Sequence, residues 1–531
     1  MARRGRDRFL RRRRQPQASH SDDRISALSD DLLLDVLRRL DTRSALGAGM
    51  LSTRWACLPR ELPALDFRVD EILPPRYHRW LLHRDTEVTD LDYYQLGTAK
   101  VEKVMPHIKR YERRAMRALT RSVKSFLDAD VGRRSRSRRV SRLRIEFFAT
   151  HNTGCINRLV ARAIDAWEVD DLVAVAKPIS WQCRNFHDFP SHGICQEPHA
   201  SRLRSLKLGG CALPPLHQHS ALTVLVLQDT PRSTPESAYE AIFASCPQLQ
   251  VLHLISCRCS GNGDIIVDSP NSEMMELVVE KCEFARICFR ALPRLERLSS
   301  LGTRVRFEST SFPCLRKYNL TLCLGFRLED DRQYFAPPIK LKLSLFLGRT
   351  PDITDLVIRF TGPDRWIVPS GSSMSPALLP NLRRLLIADV PWSWDISWPR
   401  LLLETAPSLE TLHIHISPRS KEDDEPKGDE IPWQPTMLGH HNLKEFVMVG
   451  FEGTDRQVYL VSFVIGVCST ALRHVAMYKK GHARDKGHWD WEMVAQQQQS
   501  EWTDEEKDKA LRQIMNGIPS SSAASPVIVF G

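Results

Sequence analysis

The chain has 531 residues, of which 42% are hydrophobic and 26% are charged, and its formal net charge is +11. Compact domains usually contain about 100 to 200 residues, so this length requires several domains or one extended repeat array. The composition excludes a largely disordered chain. The sequence contains no apolar run long enough to span a membrane, and residues 1–15 lack the apolar core of a secretory signal. We therefore expect a cytoplasmic or nuclear protein without a membrane partner.

The positive charge is concentrated in two short segments. Eight arginines and one aspartate lie within residues 1–14, and five arginines lie within residues 133–139. The rest of the chain is close to neutral, so we expect no basic face on the folded body and no nucleic acid bound there. The N-terminal cluster could be a nuclear import signal, a contact for anionic surfaces or a solvated tail.

The first predicted element is an amphipathic helix over residues 30–40. Ser29 is placed to cap its free amides, acidic residues follow the cap, and arginines occupy the last turn. Its apolar residues fall on one stripe: Leu32, Leu33, Val36, Leu37 and Leu40. Two further short helices are predicted, at residues 42–50 and at residues 52–58 with Trp55. Three such helices cannot bury all these leucines, so part of the apolar surface is expected to be an interface.

This segment resembles the F-box of plant F-box proteins. The resemblance rests on Asp23-Arg24-Ile25-Ser26, Leu28-Ser29-Asp30-Asp31-Leu32-Leu33, Thr42-Arg43-x-Ala45 and Leu51-Ser52-x-Arg54-Trp55. It implies docking on a Skp-type adaptor and, through it, attachment to a cullin and a ubiquitin-conjugating enzyme. The contact residues that it implies are Ile25, Leu28, Leu32, Leu33, Val36, Leu37, Leu40, Leu51 and Trp55.

The segment departs from the family pattern at two places. Ser29 stands where the family usually has proline, which exchanges a preset φ for a capping hydroxyl. Gly47 and Gly49 lie inside the second predicted helix, and each weakens it by roughly 1 kcal/mol relative to alanine. The alternatives are a degenerate F-box with weak adaptor binding, and a helical cap that only covers the first repeat.

A hexapeptide of the form L-x-x-L-x-L, with aliphatic substitutions, recurs through the rest of the chain. Its clear copies begin at Leu203, Leu222, Leu249, Met274, Leu295, Leu315, Ile353, Leu382, Leu409, Leu443 and Leu472, and weaker copies begin at Val140 and Val169. The alternation inside each copy predicts a short strand, and stacked strands share one core. The expected fold is therefore α/β: a leucine-rich-repeat solenoid, horseshoe-shaped with parallel strands on its concave face, behind a small N-terminal all-α F-box module.

Two residue types mark the repeats at fixed positions. Cysteines stand three residues after a hexapeptide, where they can satisfy the backbone of the turn: Cys211, Cys257, Cys282 and Cys323. Prolines stand two residues before a hexapeptide, where they would end a preceding helix: Pro247, Pro293, Pro313, Pro380 and Pro407. Cys257, Cys259 and His253 could form a metal site, but the repeat pattern explains Cys257 without one. Since none of the thirteen cysteines forms a Cys-x-x-Cys pair, we expect free, packed thiols and neither a metal nor a cofactor.

The C-terminal part is similar to the FBD-type region of the same plant family. The similarity rests on APSLETLHI at residues 406–414, HHNLKEFVMVGFEG at residues 440–453 and ALRHVAMY at residues 471–478. A terminal helix is predicted over residues 501–515. His440, His441, Trp489 and Trp491 are interpreted as loop and packing residues. The expected division is a tail (1–22), the F-box (23–60), a helical connector with an Arg/Ser loop (61–139), the repeats (140–405), the FBD-type repeats (406–480) and a cap with a tail (481–531).

The sequence contains no phosphate-binding loop, nucleophile elbow or His-Glu-x-x-His motif, so no catalytic residue is assigned. The resemblance implies a non-catalytic subunit of a ubiquitin ligase whose repeats hold an unknown protein target. Candidate target contacts on the concave face are Arg204, Lys207, Gln250 and His253. The alternatives are a scaffold or ligand-binding solenoid with a degenerate F-box, and a nucleic-acid binder, which conflicts with the nearly neutral body.

Overall fold

A computed structural model shows an α/β protein that divides into two compact units, one ending at Phe67 and the other beginning at Arg68. The structure describes residues 28–48, 54–55, 58–89, 97–131, 140–150, 153–180, 185–196, 201–216, 219–261, 263–308, 312–323, 341–342, 350, 352–361, 367–368, 379–392, 399–418, 440–468, 470–496, 502–516, 518 and 526–531.

The helices are α1 (Asp30–Arg38), α2 (Thr42–Ala48), α3 (Pro75–Thr89), α4 (Gly97–Val131), α5 (Gly154–Asp165), α6 (Glu236–Ser245), α7 (Arg400–Thr405), α8 (Asp455–Val467) and α9 (Asp504–Asn516). The strands of the first half are β1 (Ala64–Arg68), β2 (Arg142–Phe148), β3 (Asp171–Lys177), β4 (Ser205–Gly209), β5 (Val224–Gln228), β6 (Val251–Ile255), β7 (Asp264–Asp268), β8 (Glu276–Glu280), β9 (Arg286–Ala291), β10 (Arg297–Leu301) and β11 (Val305–Phe307). Those of the second half are β12 (Lys317–Cys323), β13 (Leu341–Lys342), β14 (Asp355–Thr361), β15 (Ile367–Val368), β16 (Arg384–Val390), β17 (Thr411–Ile416), β18 (Glu445–Val449), β19 (His474–Tyr478), β20 (Gly481–Asp485), β21 (Trp491–Ala495) and β22 (Val527–Phe530).

The first unit is built around α1 and α2. The hydroxyl of Ser29 accepts a hydrogen bond from the amide of Leu32, as the capping pattern predicts. Helix α1 ends two residues earlier than expected, and the expected last residues of α2, 49–50, lie outside the described residues. The third expected helix also falls partly outside them. The unit is also not purely helical. It continues into β1, because Leu65 and Phe67 alternate with more exposed residues at the period of a strand.

The second unit contains one long parallel sheet. Each of the thirteen hexapeptides forms a strand that begins two residues after its first residue, from Arg142 for the copy at Val140 to His474 for the copy at Leu472. The strands follow one another across the sheet in chain order, apart from β7, β9, β11, β13, β15, β20 and β21, which pair elsewhere. The order expected of a repeat solenoid is therefore present.

The core lies on one face of this sheet. In each strand the second residue points into the core, so that Leu206, Leu225, Leu252 and Leu277 align in register and are fully buried. Further strands continue the row with Leu298, Tyr318, Leu356, Leu385, Leu412, Phe446 and Val475. No single repeat could bury such a row, because each strand covers only its neighbours.

The turns after the strands repeat one backbone conformation. A residue with positive φ follows several strands, including Gly210, Asp229 and Ser256. At Gly210 a Cβ atom would lie too close to the Ala176 carbonyl oxygen, so only glycine fits. One residue further on, the thiol of Cys211 donates to the Gly209 carbonyl at 3.1 Å, and burial raises the pKa of this thiol to about 12.

The same interaction recurs in two later repeats, where the thiols of Cys257 and Cys282 donate to the carbonyls of Ile255 and Glu280 at 3.6 and 3.5 Å. These three cysteines confirm the predicted role, whereas the side chain of Cys323 is outside the described residues. The cysteines of the described part are free thiols, mostly buried.

The segments that return between strands differ along the sheet. Pro247 and Pro407 follow α6 and α7, as predicted, and each begins a turn. Pro293, however, follows strand β9, which pairs with β7 and β11 in a separate sheet of three parallel strands. The expectation that a helix precedes every such proline was therefore wrong here, because Ile287, Cys288 and Phe289 form a short, continuously buried run that pairs as a strand.

Helices α3 and α4 lie between β1 and β2 in the sequence and pack against each other. The hydroxyl of Tyr77 donates to Glu112 at 3.0 Å, and burial and this carboxylate raise the tyrosine pKa. The opposite side of α4 exposes a row of basic residues: Lys103, His107, Arg110, Arg114, Arg117, Arg121 and Lys124. The expectation of no basic face on the folded body was therefore wrong, because a net charge averaged over the chain hides charges that one helix face collects. Among the described helices none is both long and apolar enough to cross a membrane.

Candidate functional site

The first candidate surface is the exposed side of α1. Leu32 and Val36 lie four residues apart on one face of α1, and Leu40 lies two residues after the last helical residue, Arg38. Their exposed fractions are 52%, 46% and 44%, which are high for aliphatic side chains beside a folded core. These three residues, named here the α1 row, form an apolar patch available to a partner.

The other contact residues implied by the resemblance have different positions. Leu33, Leu37 and Trp55 lie in the core of the module, where they pack with Leu34, Ala45, Leu58 and Leu62. Leu28 is half-buried against this core. Ile25 and Leu51 fall outside the described residues. The structure therefore separates the predicted stripe into an exposed row and a row that holds the module together.

Two polar residues fix the geometry of this module: Arg54, which the resemblance named without a structural role, and Asp41, which no sequence pattern singled out. Arg54 donates to the Asp30 carboxylate and to the carbonyl of Leu28, and so ties the start of α1 to the segment after α2. The Asp41 carboxylate caps α2 by accepting from the Ser44 amide at 2.8 Å, and hydrogen bonds from the Ser44 side chain and from this amide lower the aspartate pKa. An aspartate directly before a predicted helix is the signal that could have identified this cap.

The second candidate surface is the outer face of the long sheet, opposite the leucine core. One residue of each strand lies in register across this face. This outer row consists of Arg144, Val173, Lys207, Val226, His253, Val278, Ser299, Asn319, Val357, Leu386, His413, Val447 and Ala476. The row has two parts: Val173 and Val226 are half-buried, whereas Val357, Leu386 and Ala476 are 4%, 0% and 0% exposed.

The antiparallel hairpin β20–β21 covers the second part of the outer row. Ala483 and Trp491 join Val357, Leu386 and Ala388 in one buried cluster. Met493 extends the contact to Val447, Val449, Ala476 and Tyr478. A cap and a tail were expected over residues 481–531, without a hairpin that returns onto the strands.

Two tryptophans anchor the hairpin. The indole nitrogen of Trp491 donates to His413 Nδ1 at 2.8 Å, which leaves the His413 proton on Nε2, 3.2 Å from Glu445. The indole of Trp489 donates to the Leu298 carbonyl at 3.3 Å. Arg384 and Arg297 stack on Trp491 and Trp489, respectively. The predicted packing role of both tryptophans is confirmed.

An ion-pair network also links the hairpin to the sheet. Arg359, on β14, contacts Asp389 at 2.5 Å and Asp485 of the hairpin at 2.6 Å. Burial would lower the pKa of Arg359, but the two carboxylates outweigh it and raise that pKa. Burial likewise would raise the pKa of Asp389, but His415 and Arg359 hold it below its usual value. The hairpin is thus held by charge as well as by packing.

The tip of the hairpin reaches His253. The His488 ring lies 5.5 Å from the His253 ring, and the His488 carbonyl accepts from the Asn319 amide at 2.6 Å. Burial and the nearby His253 lower the pKa of His488. His253 itself contacts Glu276 at 2.8 Å. Of the predicted target contacts, His253 is therefore already engaged by the chain's own hairpin.

The remaining predicted contacts are placed as follows. Lys207 lies in the outer row and is half-buried. Arg204 and Gln250 each precede a strand by one residue, outside the outer row, and their carbonyls accept amides of the next repeat. The outer-row residues of strands β2–β5, Arg144, Val173, Lys207 and Val226, are named here the open row.

Comparison with known proteins gives one long match and two short ones. No family profile matches the chain. It is 24% identical over 459 residues to F-box protein At3g62230 of Arabidopsis thaliana, which covers 83% of this chain and 88% of that protein. It is 42% identical over 52 residues to F-box/FBD/LRR-repeat protein At5g22700 and 40% identical over 58 residues to putative F-box/FBD/LRR-repeat protein At3g49030, both of Arabidopsis thaliana. These two matches cover 10% and 11% of this chain and 12% and 13% of the relatives.

Proposed function

Because the chain resembles plant F-box proteins, we propose that it is the substrate-recognition subunit of an SCF-type ubiquitin ligase. In this proposal the N-terminal module is an F-box that docks on a Skp-type adaptor, which connects it to a cullin. The repeat sheet is a leucine-rich-repeat horseshoe that binds a protein target in the cytoplasm or nucleus. The chain is not an enzyme, since the ubiquitin chemistry belongs to other subunits.

The α1 row is the observation that carries the docking half of the proposal. Burying a leucine or valine side chain contributes about 1.5 to 3 kcal/mol, so Leu32 and Val36 on α1, together with Leu40 just beyond its end, can supply much of an interface. Leu32 and its neighbours in the row are held in position by the buried Leu33 and Leu37 behind them. A partner therefore meets a preformed surface, which lowers the entropic cost of binding.

The open row supports target binding on the sheet. It combines apolar side chains, Val173 and Val226, with the cations Arg144 and Lys207. A target held there is kept near the charged conjugating enzyme, and the resulting high effective concentration promotes transfer without a catalytic residue in this chain.

The alternative is a scaffold or ligand-binding protein whose F-box is degenerate. One observation favours it: Gly47 lies inside α2, which has only seven residues, and glycine weakens a helix by roughly 1 kcal/mol relative to alanine. A weakened α2 would loosen the support of α1. The alternative and the adaptor function differ in whether the wild-type chain binds a Skp-type protein.

The decisive experiment measures binding of the full chain to a purified Skp-type adaptor. Leu32→Asp with Val36→Asp should weaken binding about a hundredfold or more, because two apolar contacts are replaced by charges that must be desolvated. Both side chains are exposed, so the variant should fold. The matched control is Leu511→Asp with Met515→Asp, an exposed apolar pair with the same spacing on α9.

The control should bind like the wild type. Absence of wild-type binding would contradict the ligase function and favour the scaffold. Equal binding by the α1 variant and the wild type would show that the α1 row is not the docking surface.

A further inference from the structure

Helix α4 carries a continuous basic stripe. The exposed residues Lys103, His107, Arg110, Arg114, Arg117, Arg121 and Lys124 are spaced alternately by four and three residues. This spacing keeps them on one side of the helix. At a rise of 1.5 Å per residue, the stripe from Lys103 to Lys124 is about 32 Å long.

The fold does not require this stripe. The helix packs through its opposite side, where Ile108, Ala115, Leu119 and Val123 are buried. Cations three and four residues apart repel one another and destabilise a helix. Residues 103–128 contain two acidic residues. The carboxylate of Glu112 is buried and contacts Tyr77, and Asp128 is exposed. The stripe is therefore a row of positive charges, and a bound polyanion would reduce the repulsion between them.

A groove between α3 and α4 lies at one end of the stripe. It has a volume of about 560 Å³ and is lined by Arg76, Arg79, Trp80, His83, His107 and Tyr111. The rings of Trp80 and His107 are stacked, with centroids 4.9 Å apart and an interplanar angle of 5°. His107 belongs to both the groove and the stripe, so the two features form one continuous surface.

We propose that α3 and α4 bind single-stranded nucleic acid, with phosphates along the stripe and a base in the aromatic groove. Four of the stripe residues are arginines, whose planar guanidinium groups bind phosphate oxygens in pairs. Stacking of bases on aromatic rings, combined with a basic track for the backbone, is the usual mode of binding to single strands. A duplex would use the stripe but not the groove, because its bases are already stacked.

Two other polyanions fit the surface less well. An anionic membrane is bound by helices that also insert apolar side chains, whereas the stripe positions carry only basic residues. An acidic peptide would pair with the cations but gives no role to the stacked rings of Trp80 and His107.

The test measures binding of fluorescein-labelled 16-nucleotide oligouridylate and its deoxy counterpart by fluorescence anisotropy at several salt concentrations. The full chain is used with the eight arginines of residues 1–14 replaced by glutamine, so that this tail does not contribute. Arg114→Gln with Arg117→Gln and Arg121→Gln should weaken binding about a hundredfold at 0.1 M salt and make the slope of log K against log salt shallower by about 2.

A matched control removes three exposed cations elsewhere: Arg294→Gln, Lys444→Gln and Lys507→Gln. This control has the same net charge as the stripe variant and should change binding less than about threefold. Circular dichroism and thermal unfolding establish that both variants remain folded. Equal losses in the two variants would overturn the proposal, since net charge alone would then explain the binding.

Trp80→Leu separates the groove from the stripe. It should weaken binding to the single strand about tenfold and leave both the salt slope and the affinity for a 16-base-pair duplex unchanged. Binding of polyglutamate, or of vesicles rich in phosphatidylserine, that matches oligouridylate in affinity and in its response to Trp80→Leu would overturn the assignment to nucleic acid.

Discussion

The two parts of the outer sheet face differ although one repeat builds both. In β3, β5 and β6, buried residues alternate with half-buried ones, whereas β16, β18 and β19 contain runs of three or four buried residues. The difference follows the hairpin β20–β21, which covers the second part and whose tip reaches His253. The hairpin thus leaves the open row uncovered and packs on the second part of the face.

The largest expected effect contrasts two valines of the outer row. Val357→Asp should lower the free energy of unfolding by about 4 kcal/mol, because Val357 is 4% exposed and a carboxylate there would be buried beneath Trp491. Val226→Asp should cost about 1 kcal/mol or less, since Val226 is half-buried in the open row. Urea denaturation measures both.

Both substitutions put the same residue at the same register position of a parallel strand, so the strand preference against aspartate cancels. Similar losses at the two positions would contradict the division of the face.

An intermediate effect is expected from Trp491→Phe. A smaller aromatic ring replaces the indole, so the hydrogen bond to His413 Nδ1 and part of the packing are both lost. The hydrogen bond should account for about 1 kcal/mol of this loss. In a double-mutant cycle with His413→Leu, the coupling energy should be of the same size. Urea denaturation of the four proteins gives the coupling, and a coupling near zero would remove this hydrogen bond from the account of the hairpin.

The smallest effect concerns acid. The pKa of His488 is lowered in the docked hairpin, where it faces His253, Glu276, Glu280 and Asp485. Because docking lowers this pKa, protonation of His488 favours release of the hairpin. Docking is therefore most stable above the ordinary histidine pKa of 6.5 and loses stability as the pH falls below that value. Hydrogen exchange of residues 481–495, corrected for intrinsic rates, should therefore rise severalfold between about pH 7.5 and pH 5.5.

His488→Gln should flatten this pH dependence, because glutamine does not titrate in this range. An unchanged dependence in the variant would assign it to other groups, such as His440, whose pKa burial also lowers.

The sequence predicted the strands with little error because a hexapeptide is a local pattern. Thirteen copies gave thirteen strands, since alternation of apolar and polar residues acts within five or six residues. The sequence also contains a pattern that indicates the hairpin. Two strand segments are too continuously apolar to have one face in water: Arg-Leu-Leu-Ile-Ala at 384–388 and Glu-Phe-Val-Met-Val at 445–449.

The apolar residues of α1 show the limit of helical periodicity as a predictor. Periodicity placed Leu32, Leu33, Val36 and Leu37 on one broad stripe, but it could not tell which of them pack in the module's own core and which face a partner. The division depends on where α2 and Trp55 pack, and these are contacts over 10 to 20 residues.

By itself the sequence determined the repeat, the strand positions, the turn cysteines and the cap of α1, because each depends on neighbours a few residues away. Tertiary structure alone decided which outer-row residues are covered, since Trp491 meets His413 across 78 residues and Trp489 meets Leu298 across 191. Contacts this distant in the chain leave no local period to detect.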